Sequence, residues 1–266
     1  MCIRDRYISA FGSEELKHKY LPGCVSGDII AAVAMTEPNT GSDLAAIKTT
    51  AVEDGDDVII NGQKTFISNG INCGVVVVAA KDPEVKSPYA AVDLYVVEDG
   101  TPGFEKGKQI KKIGWHSQDT AELYFTDCRV PKKNRLGAKG TGFLHLMEKL
   151  QQERLMCAIG AVAAAEYMLE ITIDYCKERT AFGKPISKFQ NSQFKIVEMA
   201  TDVKLGRTFM DKLIVEHMEG KNVVIDVSMA KYWTTDMACR VADECVQLHG
   251  GYGYLSLIHI SEPTRP

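Results

Sequence analysis

The feature that most constrains this chain is a change of hydrophobic period near residue 140. Before it, short apolar and β-branched runs recur at 29–35, 48–52, 58–61, 63–68, 75–80, 92–97 and 121–126. Asp54-Gly55, Asn61-Gly62, Asn69-Gly70 and Asp99-Gly100 punctuate these runs as turn signals. Many short strands at such spacing predict an antiparallel sandwich or barrel, not alternating βαβ units. After residue 140 the period is helical and stays so. One helical pattern runs from about Gly142 to Phe182 and stops at Gly183 before Pro185. A second begins at Ser187-Lys188-Phe189-Gln190, which fits a capping box, and continues through Val197, Leu205, Phe209 and Leu213 to Gly220. A third runs from about Val224 through Trp233, Met237, Val241 and Cys245 to Gly250-Gly251. Three long helices with short connections make most of an antiparallel bundle. The expected fold class is α+β multidomain: a β-barrel or sandwich at 29–138, then a helical bundle at 139–254.

The 266 residues suffice for one large or two ordinary domains with proper cores. Hydrophobic residues at 45% and charged residues at 25% fit a soluble globular protein. A net charge of -4 gives no basic field, which argues against a nucleic-acid partner. No apolar run is read as approaching the length of a membrane span. The eight Cys are scattered with no C-x-x-C pair, which argues for reduced thiols rather than a disulfide framework or a zinc site. A reducing compartment is expected: bacterial cytoplasm or, in a eukaryote, the mitochondrial matrix. Residues 7–21 read as the tail of a helix ended by Pro22-Gly23. Residues 1–6 and 255–266 have neither cap nor period and resemble read-through of foreign sequence, so the chain is expected to be an internal fragment.

The first long helix carries an unusual carboxylate. Leu146, Leu150, Glu153, Cys157, Gly160 and Ala164 recur at alternating spacings of four and three, which places them on one face. Burial disfavours an ionised carboxylate, so proteins keep such a group when it is paired or when it moves protons. Glu153 is therefore either a proton-transfer group or an edge residue paired with Lys149, one turn back.

Four further segments are candidates. Residues 35–43, Met-Thr-Glu-Pro-Asn-Thr-Gly-Ser-Asp, follow a strand and offer hydroxyls and main-chain N–H groups to a carbonyl or phosphate, or form an ordinary polar turn. Residues 64–70 place a flat apolar ring, Phe66, beside the donor Ser68, or merely enter an Asn-Gly turn. In residues 179–185, Arg179 suits a phosphate or the negative end of a helix. In residues 247–254, consecutive glycines permit close backbone approach to a ligand, or simply stop a helix.

In this order, 35–42, 66–70, 179–184, 247–251 and Glu153-Arg154-Leu155 resemble the acyl-CoA dehydrogenase family over nearly all of 7–254. The resemblance implies a remnant of an N-terminal helical domain at 7–28, a middle β-domain and a truncated C-terminal four-helix bundle. It implies that Met35, Thr36, Phe66, Ile67 and Ser68 meet the flavin of FAD. Ser42 would contact the CoA portion of an acyl-CoA. Arg179, Gln190, Gln247, Gly250 and Gly251 would hold the FAD pyrophosphate and adenosine, partly from a neighbouring subunit. Glu-Arg-Leu on the first bundle helix resembles the long-chain and isovaleryl-type branch, which makes Glu153 the base, with Arg154 orienting the site or lying on a polar edge. The implied reaction is α,β-dehydrogenation of an acyl-CoA thioester, as in fatty acid β-oxidation. The implied partners are an electron-transferring flavoprotein and further copies of the chain, as a dimer of dimers. Alternatives are a flavin oxidase or monooxygenase on the same scaffold, or a non-catalytic homologue.

Overall fold

The computed structural model describes residues 4–255. Residues 1–3 and 256–266, most of the ends expected to be foreign, lie outside the described residues. The chain divides into two compact units, one up to Lys149 and one from Leu150.

The first unit opens with α1 (Arg6–Phe11) and α2 (Glu14–Ser26). Ser13 caps α2 by accepting from the Leu16 N–H at 3.3 Å, and Gly27 ends it at φ 89°. Seven strands follow: β1 (Ala31–Ala34), β2 (Thr50–Asp54), β3 (Asp57–Ser68), β4 (Val75–Lys81), β5 (Val92–Glu98), β6 (Phe104–Gln109) and β7 (Thr120–Pro131). They form one sheet in the order β1-β4-β2-β3-β7-β6, with β5 on the other edge of β4. The unbroken apolar run of β4 has a simple cause. Val76, Val78 and Ala80 enter one core with Ile60, Leu123 and Phe125, while Val75, Val77 and Ala79 enter a second with Tyr7, Ile8, Leu16 and Leu146. A strand covered on both faces carries no polar alternation.

Several expectations needed correction here. The sheet is mixed: β1 and β4 run parallel, as do β2 and β4. The runs at 58–61 and 63–68 are one strand, because Asn61-Gly62 forms a bulge rather than a hairpin turn. Gly62 lies at φ 148° with Thr49 so close that a Cβ would meet its Oγ1 at 2.5 Å. Asn61 is meanwhile occupied by Asp127, whose N–H donates to its Oδ1 at 2.7 Å. Strand β6 was not anticipated, since only Phe104 in it is buried and no apolar alternation marks it.

The second unit holds most of α3 (Gly142–Glu178), then α4 (Gln190–Met218) and α5 (Val224–His249). Its core is Leu155, Ala158, Val162, Ala165 and Leu169 from α3, Met199, Val203, Met210 and Leu213 from α4, and Val227, Ala230, Met237, Val241 and Cys245 from α5. Gly206 lets the helices close: a Cβ there would lie 3.2 Å from Val162 and 3.3 Å from Met237. The stripe expected to face the core is displaced, with Cys157, Gly160 and Ala164 exposed. So many small apolar residues surround this part of α3 that several stripes fit the helical period. Side-chain volume at Leu155, Val162 and Leu169 decides which one packs. The expected capping box also does not form. Ser187 lies in a short 3-10 turn, Ile186–Lys188, and Phe189 stands at the cap position without a side-chain bond. By length and composition alone α3 would reach across a bilayer, with mean hydropathy 1.5 over 18 residues, contrary to the sequence reading. Its stripe of large residues is instead spent on the bundle core.

Candidate active site

In the β unit, two candidate segments are bound to each other. The Thr65 N–H donates to the Thr36 carbonyl at 2.9 Å, and the Lys64 ammonium donates to the Met35 carbonyl at 3.1 Å and to Glu37 Oε1 at 2.9 Å. The Glu37 carboxylate also accepts from the Lys48 N–H at 2.6 Å and the Thr49 N–H at 2.9 Å. Glu37 and Thr40 exchange main-chain bonds that tighten the loop at its turn. The Lys64 side chain is 0% exposed and that of Glu37 5%. Burial pushes the Lys64 ammonium down to about 8, against the attraction of Glu37. Burial also works to raise the Glu37 carboxyl, but Lys64 and the N–H donors outweigh it and hold the group below its ordinary value.

Beyond Lys64 the strand bulges. The register with β7 slips between Lys64 and Ile67, and Phe66 adopts φ 58°. Lys64 and Thr65 are consecutively buried, Phe66 is 64% exposed, and Ile67 returns to the core at 2%. Left-handed backbone at a bulky residue is strained and persists only where surrounding contacts enforce it. Here they do: Asn69 donates to the Ala31 carbonyl at 3.1 Å and accepts from Gln118 at 2.9 Å, while Asp119 accepts from the Ile71 N–H at 2.7 Å and Asn72 at 2.8 Å. Of the expected flavin-facing residues, Met35, Thr36 and Phe66 are thus brought together, and Ser68 follows half-buried. Ile67 has only main chain to offer, its side chain being in the core. Ser42 is exposed at the far end of the loop. Lys64, Glu37, Asn69 and Asp119 were missed by sequence reasoning. The available signal was a charged Lys64 inside a strand whose neighbours alternate.

In the bundle unit, the other candidates gather at one end. β8 (Thr180–Ala181) and β9 (Lys184–Pro185) form a small hairpin whose turn, Phe182 at φ 52° and Gly183 at φ 80°, has the two positive φ values of a type I′ turn. Phe182 is 96% exposed, and the Lys184 ammonium lies 4.4 Å from the Phe189 ring centroid. A surface depression of about 420 Å³ is lined by Phe182, Ile186, Phe189, Asn191, Ser192 and Gln247. Gln190 is exposed as the first residue of α4. The Arg179 guanidinium rests 5.8 Å from the Tyr252 ring. Buried His249 stacks on Tyr175 at 4.3 Å and anchors the glycines that follow. Gly250 lies at φ 61° and ψ −137°, and nothing comes within 4 Å of a Cβ built at Gly250 or Gly251. Arg179, Gln190, Gln247, Gly250 and Gly251 therefore share one end of the bundle.

Glu153 and Arg154 do not join them. Both are half-buried on α3, and Arg179 directly follows the last residue of that helix, Glu178. At ~1.5 Å per residue, Glu153 lies roughly 40 Å along the axis from the Arg179 end.

The sequence matches two family descriptions: acyl-CoA dehydrogenase, middle domain, over residues 32–128, and acyl-CoA dehydrogenase, C-terminal domain, over residues 140–265. This chain belongs to the acyl-CoA dehydrogenase family. The long-chain specific acyl-CoA dehydrogenase of pig mitochondria is 45% identical over 94% of the chain, and the chain spans 58% of that protein's length. Among solved structures, an acyl-CoA dehydrogenase from Geobacillus kaustophilus is 58% identical with TM-score 0.93, covering 96% of this chain and 67% of that one. Butyryl-CoA dehydrogenase from Megasphaera elsdenii is 38% identical with TM-score 0.90, covering 96% and 66% respectively. The family's middle-domain match falls in the β unit and its C-terminal-domain match covers the bundle. Members of this family are flavoproteins, which implies a flavin cofactor.

Proposed function

We propose that this protein performs FAD-dependent α,β-dehydrogenation of an acyl-CoA thioester, giving the trans-2-enoyl-CoA. The observation that carries the reading is Phe66, projected from a bulge whose backbone is strained and held on both sides, beside the pinned loop at 35–43. A flat apolar ring on a fixed main chain suits one side of a planar flavin ring system. The glycines at 250 and 251, with open space where a side chain would stand, and Arg179 at their edge suit a pyrophosphate. The residues present therefore fit FAD. When bound, FAD supplies the hydride acceptor.

The chain's own residues do the rest. Glu153 takes the α-proton on its carboxylate, and Arg154 beside it orients the site. Ser42 contacts the CoA portion. Met35, Thr36, Phe66 and the main chain of Ile67 and Ser68 flank the flavin. Arg179, Gln190, Gln247, Gly250 and Gly251 hold the rest of the cofactor. The distance of roughly 40 Å along α3 between Glu153 and the Arg179 end supports a cofactor site completed by a second copy, in a dimer of dimers. Electrons would leave to an electron-transferring flavoprotein. Glu153-Arg154-Leu155 on α3, together with the likeness to the pig long-chain enzyme, supports the long-chain and isovaleryl-type branch.

The test is anaerobic mixing of the flavin-loaded protein with acyl-CoA thioesters of graded length, following the visible flavin band. Bleaching by acyl-CoA is expected, and Glu153→Gln should slow it on the order of 10²–10⁴-fold. Bleaching at the parent rate in that variant would place the base elsewhere. Rapid reoxidation in air, rather than by an electron-transferring flavoprotein, would favour an oxidase.

A further inference from the structure

We propose that the buried Lys64–Glu37 pair is the positioning device of the flavin face: Lys64 locks the Met35 carbonyl and the Glu37 turn to the strand position where β3 bulges, and so fixes where Phe66 projects. This deepens the flavin reading and rests on it. Three observations converge. Lys64 is the last residue before the register with β7 slips, so whatever holds it defines where the bulge begins. Its ammonium reaches two partners on one loop, Met35 and Glu37, and the next residue's N–H bonds the residue between them, Thr36. In a regular strand Phe66 would share the face of Lys64 and be buried. With both Lys64 and Thr65 held inward, the chain must turn Phe66 outward, at φ 58°.

A buried ion pair is an expensive way to tie a loop to a strand, and an apolar contact of the same volume would often serve stability as well. What the pair adds is direction. The ammonium needs its acceptors in fixed places, and the Glu37 carboxylate is itself held by the main chain at Lys48 and Thr49. Lys64 and Glu37 are thus positioning residues acting through Met35, Thr36 and Phe66. Around Lys64, Glu37 provides the opposing charge, Met35 contributes a carbonyl and the β7 partner, Leu123, is neutral.

The experiment compares the whole chain with the double variant Lys64→Met/Glu37→Gln, which removes both charges and keeps one amide oxygen to accept from one of the two loop N–H groups, at Lys48 or Thr49. FAD binding is titrated by fluorescence quenching, visible circular dichroism of the bound flavin is recorded, and amide exchange is mapped. FAD binding should weaken at least ten-fold and the dichroism of bound flavin should change. Amide exchange should accelerate at 35–43 and 64–68 but not in β4. Parent-like affinity, dichroism and exchange in the double variant overturn the inference alone, whereas a parent chain that takes up no FAD overturns the flavin reading and the inference with it. The parent supplies a second measurement that needs no variant to fold. With the Lys64 ammonium held near 8, FAD affinity should fall as pH rises through that value, because Glu37 loses its counter-ion. A flat profile from neutral pH to about pH 10 overturns the role of the pair.

Discussion

The β unit and the bundle hold their candidate site residues in opposite ways. In the β unit the site is internally braced: a buried ion pair, main-chain bonds between loop and strand, and the Asn69–Asp119 network fix a strained Phe66. In the bundle the candidates other than Glu153 and Arg154 sit at helix ends, exposed, around a hairpin tip and two glycines whose surroundings are open. Preorganisation of the first kind removes ordering costs before a ligand arrives, while an open cluster must be completed by the ligand or a neighbouring copy. The braced region should therefore fail through loss of folding, and the open region through loss of binding.

The largest expected effect breaks the brace on one side only. Lys64→Met alone leaves the Glu37 carboxylate buried without its cation and should cost about 3–5 kcal/mol. Urea unfolding resolved by amide exchange should show the β unit losing protection first, with the bundle little changed. The bundle's own sensitivity lies in its helix contacts. Gly206→Leu forces a side chain toward Val162 and Met237 and should cost about 1–3 kcal/mol in thermal melts, without altering exchange in β3.

At the open cluster the outcome should reverse. Gly250→Ala meets no neighbour, but its backbone at φ 61° and ψ −137° disfavours a side chain, so a cost of about 1–2 kcal/mol is expected. The accompanying loss of FAD affinity, read by fluorescence titration, should be the more visible change. Were its FAD affinity to match the parent's, this end of the bundle would not be the pyrophosphate site.

The smallest effect concerns pH. Lys132 at 2.9 Å and Lys139 at 3.1 Å hold the Glu53 carboxyl down to about 2 from an ordinary 4.5. A depressed carboxylate stabilises the folded state above its unfolded pKa, and that contribution is lost as pH falls through the folded value. The β unit should thus lose a little stability as pH drops from about 4.5 toward 2. Because the group is exposed, salt should shrink the effect. Melting curves at low and high ionic strength would show whether the slope is Glu53's, since Glu53→Gln should flatten it.

The sequence by itself determined the order of the two halves and much of their punctuation. Hydrophobic period is a local property, so the switch from strands to helices near residue 140 was readable, as were the turns at Asp54-Gly55 and Asp99-Gly100. The candidate segments could be proposed for the same reason, since each is contiguous. What remained for the tertiary structure was every choice among locally equivalent options. Asn61-Gly62 became a bulge because Asp127 of β7 and Thr49, just before β2, meet it from elsewhere in the chain. The core stripe of α3 shifted to Leu155, Val162 and Leu169 because an alanine-rich helix offers several faces and only packing volume separates them. Lys64 and Glu37, separated by 27 positions, met because β3 passes beside the loop after β1, and that contact turned an ordinary strand end into a projected Phe66. Periodicity records which residues avoid water; it does not record which distant residue will be waiting when they do.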